Sequence, residues 1–417
     1  MQGLGQRPKT LTLHLTLYLN EKRKVNQMSF EEIKQQDQEY IMHTYGRYPV
    51  ALDHGKNATC YDAEGKEYID MTSGIGVNAL GFCDKAWIDA VTAQLNKLQH
   101  TSNLYYTAPC GEAAKLVCEK SGMKKMFFAN SGAEANEGVF KAAKKYSFLK
   151  YGKGRSTIVA LENSFHGRTL ATLSATGQDS YHNYFFPFVE GIVFAKANDL
   201  EDTLSKLTND VCAVIMEMVQ GEGGVLPLNQ EYVTAVYNAC KEKDILFIVD
   251  EVQTGMGRTG SFFSYQQFGI QPDLVSCAKG LGGGLPIGGV LFGEKTEECL
   301  SAGDHGSTFG GNPVVCAGSV EILNRLNDDF LAEVQKKGEF IKNQILTMPH
   351  VTDVAGMGMM LGVSLDIDAK EVIQKCLDNG LMVLSAKTKV RLLPPLTITR
   401  KELEKGLSIL ANVLKTM

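Results

Sequence analysis

Short apolar runs alternate with longer amphipathic stretches through the middle of this 417-residue chain, and that alternation restricts its fold most. Each run is too short for a helix and rich in β-branched or aromatic residues, which predicts a buried strand. The runs cover residues 125–129, 157–161, 191–195, 211–216, 245–249, 274–277 and 289–292. Helix-length stretches lie between several of them, at 134–150, 199–207 and 230–243. The pattern predicts an α/β fold with a mostly parallel seven-stranded sheet and helices on both faces.

The segments on either side of this core predict a smaller α/β domain built from both ends of the chain. Residues 28–72 contain a helix followed by three short strand patterns, and residues 329–417 contain further helices and strands. The predicted strands before the core are 50–52, 59–62 and 67–70; the later elements are 330–346, 351–354, 360–365, 370–379 and a last helix from Lys401. We therefore expect a large ligand-binding domain at 73–328 between the two parts of the small domain.

Residues 1–27 differ from the rest. Leucines at positions 11, 13, 15, 17 and 19 alternate with polar residues, and no continuous apolar core or small-residue cleavage site is present. We expect this segment to be a leader that is disordered or dispensable.

Composition excludes several classes of function. The chain has 42 basic and 47 acidic residues, a net charge of −5, so it lacks the basic field that nucleic acid requires. No run of about 18 apolar residues predicts a membrane span. Ten cysteines without a C-x-x-C pair or a zinc-like spacing to histidine favour reduced thiols in a cytoplasmic protein without a metal site.

The first chemical feature is the segment Asn130-Ser131-Gly132-Ala133-Glu134, which follows a predicted strand. Ser131 and Glu134 have the S-x-x-E spacing of a capping box, which predicts the start of a helix. A helix N-terminus with small residues presents backbone N–H groups that suit a phosphate, although a plain helix start explains the same residues.

Three further features also follow predicted strands. Asp250 comes after five apolar residues, where a carboxylate is costly unless it caps a helix or meets a cation. Lys279 precedes a run of glycines and in a confined site can act as an amine nucleophile, although a lone lysine is more often solvated. Phe165 and Arg168 offer an aromatic face and a guanidinium.

Together these features match one cofactor. Ligands bind outside the carboxyl ends of parallel strands, so the four features are expected at one edge of the sheet. A phosphate cradle, a carboxylate for a protonated ring nitrogen, an amine for an aldehyde and a stacking surface are what pyridoxal 5'-phosphate needs. The sequence therefore predicts this cofactor.

A competing motif is present at residues 255–260, which fit G-x-G-x-x-G, with Asp273 at a plausible distance for a ribose contact. In a dinucleotide fold the first glycine closes the strand turn and a helix follows. Here residues 251–254 separate Gly255 from the strand, and Ser-Phe-Phe-Ser-Tyr is not a helix opening. A nicotinamide oxidoreductase is therefore disfavoured.

The motifs resemble those of the class III, or ornithine-type, pyridoxal-phosphate aminotransferases of fold type I, over about residues 40–415. Stretches 74–81, 100–106 and 130–137 are most similar to members that act on N-acetyl-L-ornithine. The resemblance implies a ping-pong transamination of N-acetyl-L-ornithine with 2-oxoglutarate, giving N-acetyl-L-glutamate 5-semialdehyde and L-glutamate, a step in arginine biosynthesis.

The resemblance also implies the roles of individual residues. Lys279 would carry the cofactor as a Schiff base and transfer a proton, and Asp250 would pair with the pyridine nitrogen. Thr308 would reach the phosphate across the interface of a homodimer with composite active sites. The residues that the resemblance assigns to the cofactor are Ser131, Gly132, Ala133, Phe165, Asp250, Gln253, Lys279 and Thr308.

Substrate recognition is expected to need two arginines. Arg168 would bind the donor's carboxylate as a bidentate pair. Arg391 would be masked by Glu222 while the amine donor is bound and released for 2-oxoglutarate; a purely structural salt bridge is the alternative explanation of that pair. The residues that the resemblance assigns to the substrates are Arg168, Arg391, Glu222, Ser307 and Tyr45.

Alternatives remain open at this point. Ornithine, 4-aminobutyrate or N-succinyl-diaminopimelate could be the donor, because the wall of the pocket decides between a neutral and a charged tail. A glutamate-semialdehyde aminomutase would use the same lysine and aspartate but no 2-oxoglutarate. A non-catalytic binding protein is disfavoured, because a binder does not need Lys279, Asp250 and Gln253 together.

Overall fold

The structure, a computed structural model, describes residues 28–417. The prediction for residues 1–27 lies outside the described residues. Residues 28–55 and 60–68 form one compact unit, and residues 56–59 and 69–417 form a second. The predicted combination of 28–72 with 329–417 in one small domain stays a prediction.

The described residues contain seventeen strands and twelve helices, besides three short 3-10 turns. The strands are β1 (Leu52–Lys56), β2 (Thr59–Asp62), β3 (Glu67–Asp70), β4 (Lys125–Ala129), β5 (Thr157–Leu161), β6 (Ile192–Ala195), β7 (Val211–Met216), β8 (Val219–Gln220), β9 (Leu226–Pro227), β10 (Leu246–Asp250), β11 (Leu274–Cys277), β12 (Gly288–Phe292), β13 (Val351–Met357), β14 (Met360–Leu365), β15 (Leu381–Met382), β16 (Leu384–Ala386) and β17 (Lys389–Leu392). The helices are α1 (Phe30–Tyr40), α2 (Ser73–Gly76), α3 (Lys85–Leu95), α4 (Ala108–Ser121), α5 (Gly132–Tyr151), α6 (Leu170–Ser174), α7 (Leu200–Lys206), α8 (Gln230–Glu242), α9 (Pro313–Arg325), α10 (Asp328–Ile345), α11 (Ala369–Asp378) and α12 (Arg400–Lys415).

Seven of these strands form one sheet in the order β4-β12-β11-β10-β7-β5-β6. Strand β12 is antiparallel to both of its neighbours, and the other pairings in this sheet are parallel. The predicted mostly parallel seven-stranded sheet is therefore confirmed. All seven predicted strands are present, because buried strands carry a strong apolar signal.

Helices cover both faces of this sheet. Alternate side chains of β5 belong to different core clusters: Ile158 and Ala160 to one, Val159 and Leu161 to the other. Residues of α5 complete the first cluster, and residues of α4 and α8 complete the second. This alternation is the two-residue period of a strand that is buried on both faces.

One early strand was predicted wrongly. The prediction put it at 50–52, but β1 covers Leu52–Lys56. This strand is mostly exposed and its sequence Leu-Asp-His-Gly-Lys is polar. The sequence therefore lacks the apolar alternation by which a strand is predicted.

Residues 351–392 add a four-stranded antiparallel sheet in the order β13-β14-β17-β16. Strand β17 lies between β14 and β16, and this position buries Arg391, opposite Gly362 and Leu384. Among residues 28–417 no helix is long and apolar enough to cross a membrane. All ten cysteines are free.

Candidate active site

A cavity of about 420 Å³ lies at the carboxyl ends of the parallel strands. Its lining includes Ser131 after β4, Phe165 after β5, Asp250 at the end of β10 and Lys279 after β11. The four features that the sequence singled out therefore meet at one edge of the sheet. This is the edge where ligands bind in folds of this type.

The helix N-terminus at this edge belongs to α5. Ser131 caps it by accepting a hydrogen bond from the Glu134 backbone N–H at 3.2 Å. The predicted capping box is only half formed, because the Glu134 carboxylate accepts from the backbone N–H of Asn130 at 2.7 Å instead. A Cβ on Gly132 would lie 2.6 Å from Val252, so only glycine lets this helix begin so close to the next loop. The first N–H groups of a helix lack intrahelical acceptors and attract anions.

Asp250 is 3% exposed and is held by three donors. Its Oδ2 lies 2.7 Å from His166 Nδ1 and accepts from Asn136 Nδ2 at 2.8 Å, while Oδ1 accepts from the backbone N–H of Val252 at 3.0 Å. Asn136 also donates to the backbone carbonyl of His166 at 2.7 Å, which fixes the loop after β5 against α5. The carboxylate is thus oriented toward the cavity that it lines.

Lys279 begins a short 3-10 turn directly after β11 and lines the cavity. Its backbone has a φ of +44°, a conformation that is uncommon for residues other than glycine and is frequent at functional sites. Burial lowers the pKa of its amine; the charge of Glu222 opposes this change and that of Arg391 adds to it. A lowered pKa increases the fraction of neutral, nucleophilic amine.

The loop after β5 places an aromatic ring and a guanidinium beside the cavity. Arg168 stacks on Tyr181, with its guanidinium carbon 4.1 Å from the ring centroid, and lies 5.7 Å from the Phe165 centroid. Gly167 has a φ of +140°, and a Cβ there would lie 2.8 Å from the Cβ of Ala133. Glycine therefore lets the loop approach the start of α5 closely enough for both to line one cavity.

Arg391 and Glu222 form the predicted ion pair. Arg391 Nη1 lies 2.5 Å from Glu222 Oε1, and Nη2 lies 3.3 Å from Oε2. Arg391 Nη1 also donates to Gln253 Oε1 at 3.1 Å, and Gln253 lines the cavity. Burial opposes ionisation of Glu222, but the charge and hydrogen bonds of Arg391 outweigh it and lower the pKa of this carboxyl.

Five residues predicted from the resemblance do not line this cavity: Arg391 and Glu222, which contact Gln253 of its lining, and Ser307, Thr308 and Tyr45. Ser307 Oγ accepts from Asn130 Nδ2 at 3.0 Å and from the Gly310 backbone N–H at 2.9 Å. Thr308 is exposed. Tyr45 belongs to the other compact unit, and its side chain is 74% exposed. Their predicted contacts with cofactor or substrate stay predictions.

Sequence reasoning missed three polar residues at this edge: Asn136, His166 and Glu217. Asn136 and His166 hold Asp250, as described above. Glu217 follows β7 directly and is 5% exposed. It has the same signal that identified Asp250, namely an acid directly after a buried strand.

The G-x-G-x-x-G segment has a structural role. It forms turns rather than a helix start, and Arg258 within it is 2% exposed. The Arg258 guanidinium donates to the backbone carbonyls of Pro394 at 2.5 Å and Met359 at 3.2 Å. The segment therefore anchors the chain just after Arg391, as expected from its poor match to a dinucleotide site.

Comparisons with known proteins agree on one family. The family model described as Aminotransferase class-III matches residues 40–414. The chain is 52% identical to an acetylornithine aminotransferase of Haemophilus ducreyi, covering 94% of this chain and 100% of that one. It is 44% identical to an acetylornithine aminotransferase of Caldanaerobacter subterraneus subsp. tengcongensis, with 91% and 98% covered.

Solved structures show the same fold. An ornithine aminotransferase from Toxoplasma gondii has a TM-score of 0.90 at 28% identity, covering 95% of this chain and 97% of that chain. An N-acetylornithine aminotransferase from Stenotrophomonas maltophilia has a TM-score of 0.79 at 32% identity, with 90% and 97% covered. The matched family model, the relatives and the assembled strand-end residues lead to one conclusion: this chain belongs to the class-III aminotransferases.

Proposed function

We propose that the protein transfers the side-chain amine of N-acetyl-L-ornithine to 2-oxoglutarate, giving N-acetyl-L-glutamate 5-semialdehyde and L-glutamate for arginine biosynthesis. The observation that carries the proposal is that Lys279 and Asp250 line one cavity at the carboxyl edge of the sheet. The relatives at 52% and 44% identity named for acetylornithine support this donor.

The residues present fit pyridoxal 5'-phosphate. Within residues 28–417, His166 Nε2 and Asn136 Oδ1 are buried without a hydrogen-bond partner. The two side chains that hold Asp250 can therefore each form a further hydrogen bond at this edge of the sheet. Asp250 is the carboxylate for the ring nitrogen, and Lys279 is the amine for the aldehyde. The phosphate would be held at the start of α5 by Ser131, Gly132 and Ala133, the ring by Phe165 and the phenolic oxygen by Gln253.

When bound, pyridoxal phosphate supplies an electron sink for the pair released at the amine-bearing carbon. Asp250 keeps a proton on the ring nitrogen, which that sink requires. Lys279 would take and return the proton at that carbon through Nζ, and the lowered pKa of its amine favours the neutral form that accepts this proton.

Substrate discrimination is assigned to Arg168 and to the Glu222–Arg391 pair. Arg168 is exposed at the cavity and can bind the donor's carboxylate with two parallel hydrogen bonds. While Glu222 neutralises Arg391, that arginine does not attract the donor's carboxylate. Release of Arg391 provides a cation for the carboxylate of 2-oxoglutarate beside its ketone.

The protein is also proposed to be a homodimer with composite active sites. Thr308 is exposed and does not line the cavity of its own chain, which is consistent with a contact to the cofactor phosphate of a second copy. A cytoplasmic location is proposed as well, and the ten free cysteines are compatible with a reducing compartment.

Ornithine is the second candidate donor, favoured by the TM-score of 0.90 to an ornithine aminotransferase. The deciding assay adds 2-oxoglutarate to the purified, pyridoxal-phosphate-loaded protein with each of four amines: N-acetyl-L-ornithine, L-ornithine, 4-aminobutyrate and N-succinyl-diaminopimelate. We expect the highest kcat/KM with N-acetyl-L-ornithine. A higher value with another amine assigns the protein to that donor instead.

The reaction class has its own test. Borohydride reduction of the loaded protein should leave a covalent cofactor adduct on the Lys279 peptide, and Lys279→Ala should leave none. Exchange of amine without 2-oxoglutarate would instead indicate an aminomutase. A pure protein that never shows the cofactor's yellow absorbance band would indicate a binding protein.

A further inference from the structure

Glu217 is a buried carboxylate that connects two loops of the site. Its Oε1 accepts from the backbone N–H of Phe165 at 2.9 Å, and its Oε2 accepts from the backbone N–H of Gly221 at 3.1 Å. The first loop carries Phe165 and Arg168, and the second carries Glu222. One side chain therefore joins the loop proposed to bind one end of the substrate to the loop proposed to bind the other.

The local packing leaves Glu217 little freedom to do anything else. It is 5% exposed, and strand β7, which precedes it, is completely buried between β5 and β10. Both of these hydrogen bonds come from backbone N–H groups, so neither donor can be altered by a change of side chain. A Cβ on Gly221 would lie 2.4 Å from Gln253 Oε1, so this turn sits directly against the residue that contacts Arg391.

A carboxylate buried as completely as Glu217 is costly. An uncharged side chain would avoid the cost of desolvation. Two acceptor oxygens at one position are, however, needed to satisfy two N–H donors from different loops at once, and only an ionised carboxylate lacks a competing donor.

We propose that Glu217 is a positioning residue that sets the separation between the Phe165–Arg168 loop and the Gly221–Glu222 turn, and thereby the fit of the amine donor. This inference rests on the proposed function, in which those two loops bind opposite ends of the substrates. Glu217 acts through the two loops and is not assigned a contact with the reacting atoms.

Protonation should loosen this connection. Burial raises the pKa of Glu217 to about 7; the charge of His166 opposes the rise, and that of Asp250 adds to it. The charged groups that act on Glu217 from neighbouring elements are His166, Asp250 and Lys279. In a protonated carboxyl the oxygen that carries the proton is a weaker acceptor, so the hydrogen bond to one of the two loops weakens.

The test compares Glu217→Gln with Glu251→Gln, both in the loaded holoenzyme. The glutamine side chain has the same size but one acceptor oxygen, so at position 217 one loop loses its partner. Glu251 is a matched control because it is equally buried, lies at the end of the adjacent strand and does not line the cavity. We expect E217Q to raise KM for N-acetyl-L-ornithine by roughly tenfold with a smaller change in kcat, and E251Q to leave KM within about twofold.

Two readouts separate positioning from a general loss of fold. The visible circular dichroism band of the bound cofactor should change in E217Q and not in E251Q, because the Phe165 loop borders the ring. In the wild type, KM for the amine should rise as the pH falls below about 7, whereas E217Q should keep a high KM throughout. E217Q retains His166, Asp250 and Lys279. If the rise in KM at low pH persists in this variant, Glu217 is not the group that causes the pH dependence.

The two proposals fail in different ways. If the wild type transaminates none of the four amines, the proposed function fails, and the circular dichroism comparison still tests the positioning of the loop. If the wild type is active and E217Q matches E251Q in KM and in the visible band, the positioning role is wrong while the proposed function stands.

Discussion

Asp250 and Glu251 are consecutive carboxylates in different surroundings. Asp250 lines the cavity and is held by His166, Asn136 and a backbone N–H. Glu251 does not line the cavity and accepts from Ser264 Oγ at 2.6 Å, Thr254 Oγ1 at 2.6 Å and the Tyr265 backbone N–H at 3.0 Å. Both are almost completely buried, so burial alone does not distinguish a functional acid from a structural one.

The difference lies in the partners. The donors to Glu251 come from residues 254–265 of the same chain segment, and they satisfy it locally. The two side-chain partners of Asp250 come from α5 and from the loop after β5, and only the Val252 backbone N–H is local. The remaining polar atoms of those side chains, His166 Nε2 and Asn136 Oδ1, have no partner within residues 28–417. Buried polar groups are normally satisfied, so unsatisfied ones beside a cavity indicate a site prepared for a ligand.

The largest effect is expected from removing the negative charge at each of these two positions in turn. Asp250→Asn removes the carboxylate proposed for the ring nitrogen and should lower kcat by about 10²–10³-fold in the loaded enzyme. Glu251→Gln places an amide N–H₂ among donors, so it should lower the melting temperature but change kcat by less than about threefold. Steady-state kinetics and thermal unfolding of both variants measure this contrast; similar losses of kcat would contradict it.

Glu222→Ala should change which amine the enzyme prefers. With Arg391 no longer neutralised, the variant should favour L-glutamate over N-acetyl-L-ornithine, and the ratio of their kcat/KM values should change by about tenfold or more. Half-reactions with each amine, followed by cofactor absorbance, give this ratio. The matched control is Glu321→Ala, which breaks an Arg–Glu pair with Arg325 on α9. Unchanged discrimination in Glu222→Ala would reject the proposed switch.

Arg168→Lys should have a smaller effect, confined to binding. Lysine cannot form the bidentate pair with a carboxylate, so KM for N-acetyl-L-ornithine should rise by roughly tenfold while kcat changes little. Arg155 offers a control, since its guanidinium carbon also lies 4.1 Å from a tyrosine ring, that of Tyr151, but away from the cavity. Arg155→Lys should leave KM unchanged; an equal rise in both variants would show that the effect is not local.

The sheet and the chemical groups at its edge could be predicted because each corresponds to a recognisable pattern within a short stretch of sequence. The strand before Asp250 and the glycines after Lys279 are local patterns, and both residues were placed at the edge of the sheet where the structure has them. The roles of Glu222 and Arg391 came only from a resemblance, because 169 positions separate the two residues. The partnership of His166 with Asp250 was missed, since it depends on how β5 and β10 lie across β7 in the sheet. Tyr45 and Thr308 depend on contacts that neither local pattern nor the cavity reveals.

The smallest effect concerns stability, and it separates Glu217 from an ordinary surface acid. Burial raises its pKa from 4.5 to about 7, so between these values the folded protein binds more protons than the unfolded chain. The stability of the wild type should therefore fall as the pH rises from about 5 to about 7.5, by on the order of 1 kcal/mol for each unit of pKa shift. Glu217→Gln lacks this titration, so its melting temperature relative to the wild type should increase over that range by a few degrees, about 1 °C per kcal/mol for a chain of this length. If the difference in melting temperature between the two proteins stays constant with pH, the pKa of Glu217 is not raised. Burial would then not determine the protonation state of this carboxyl.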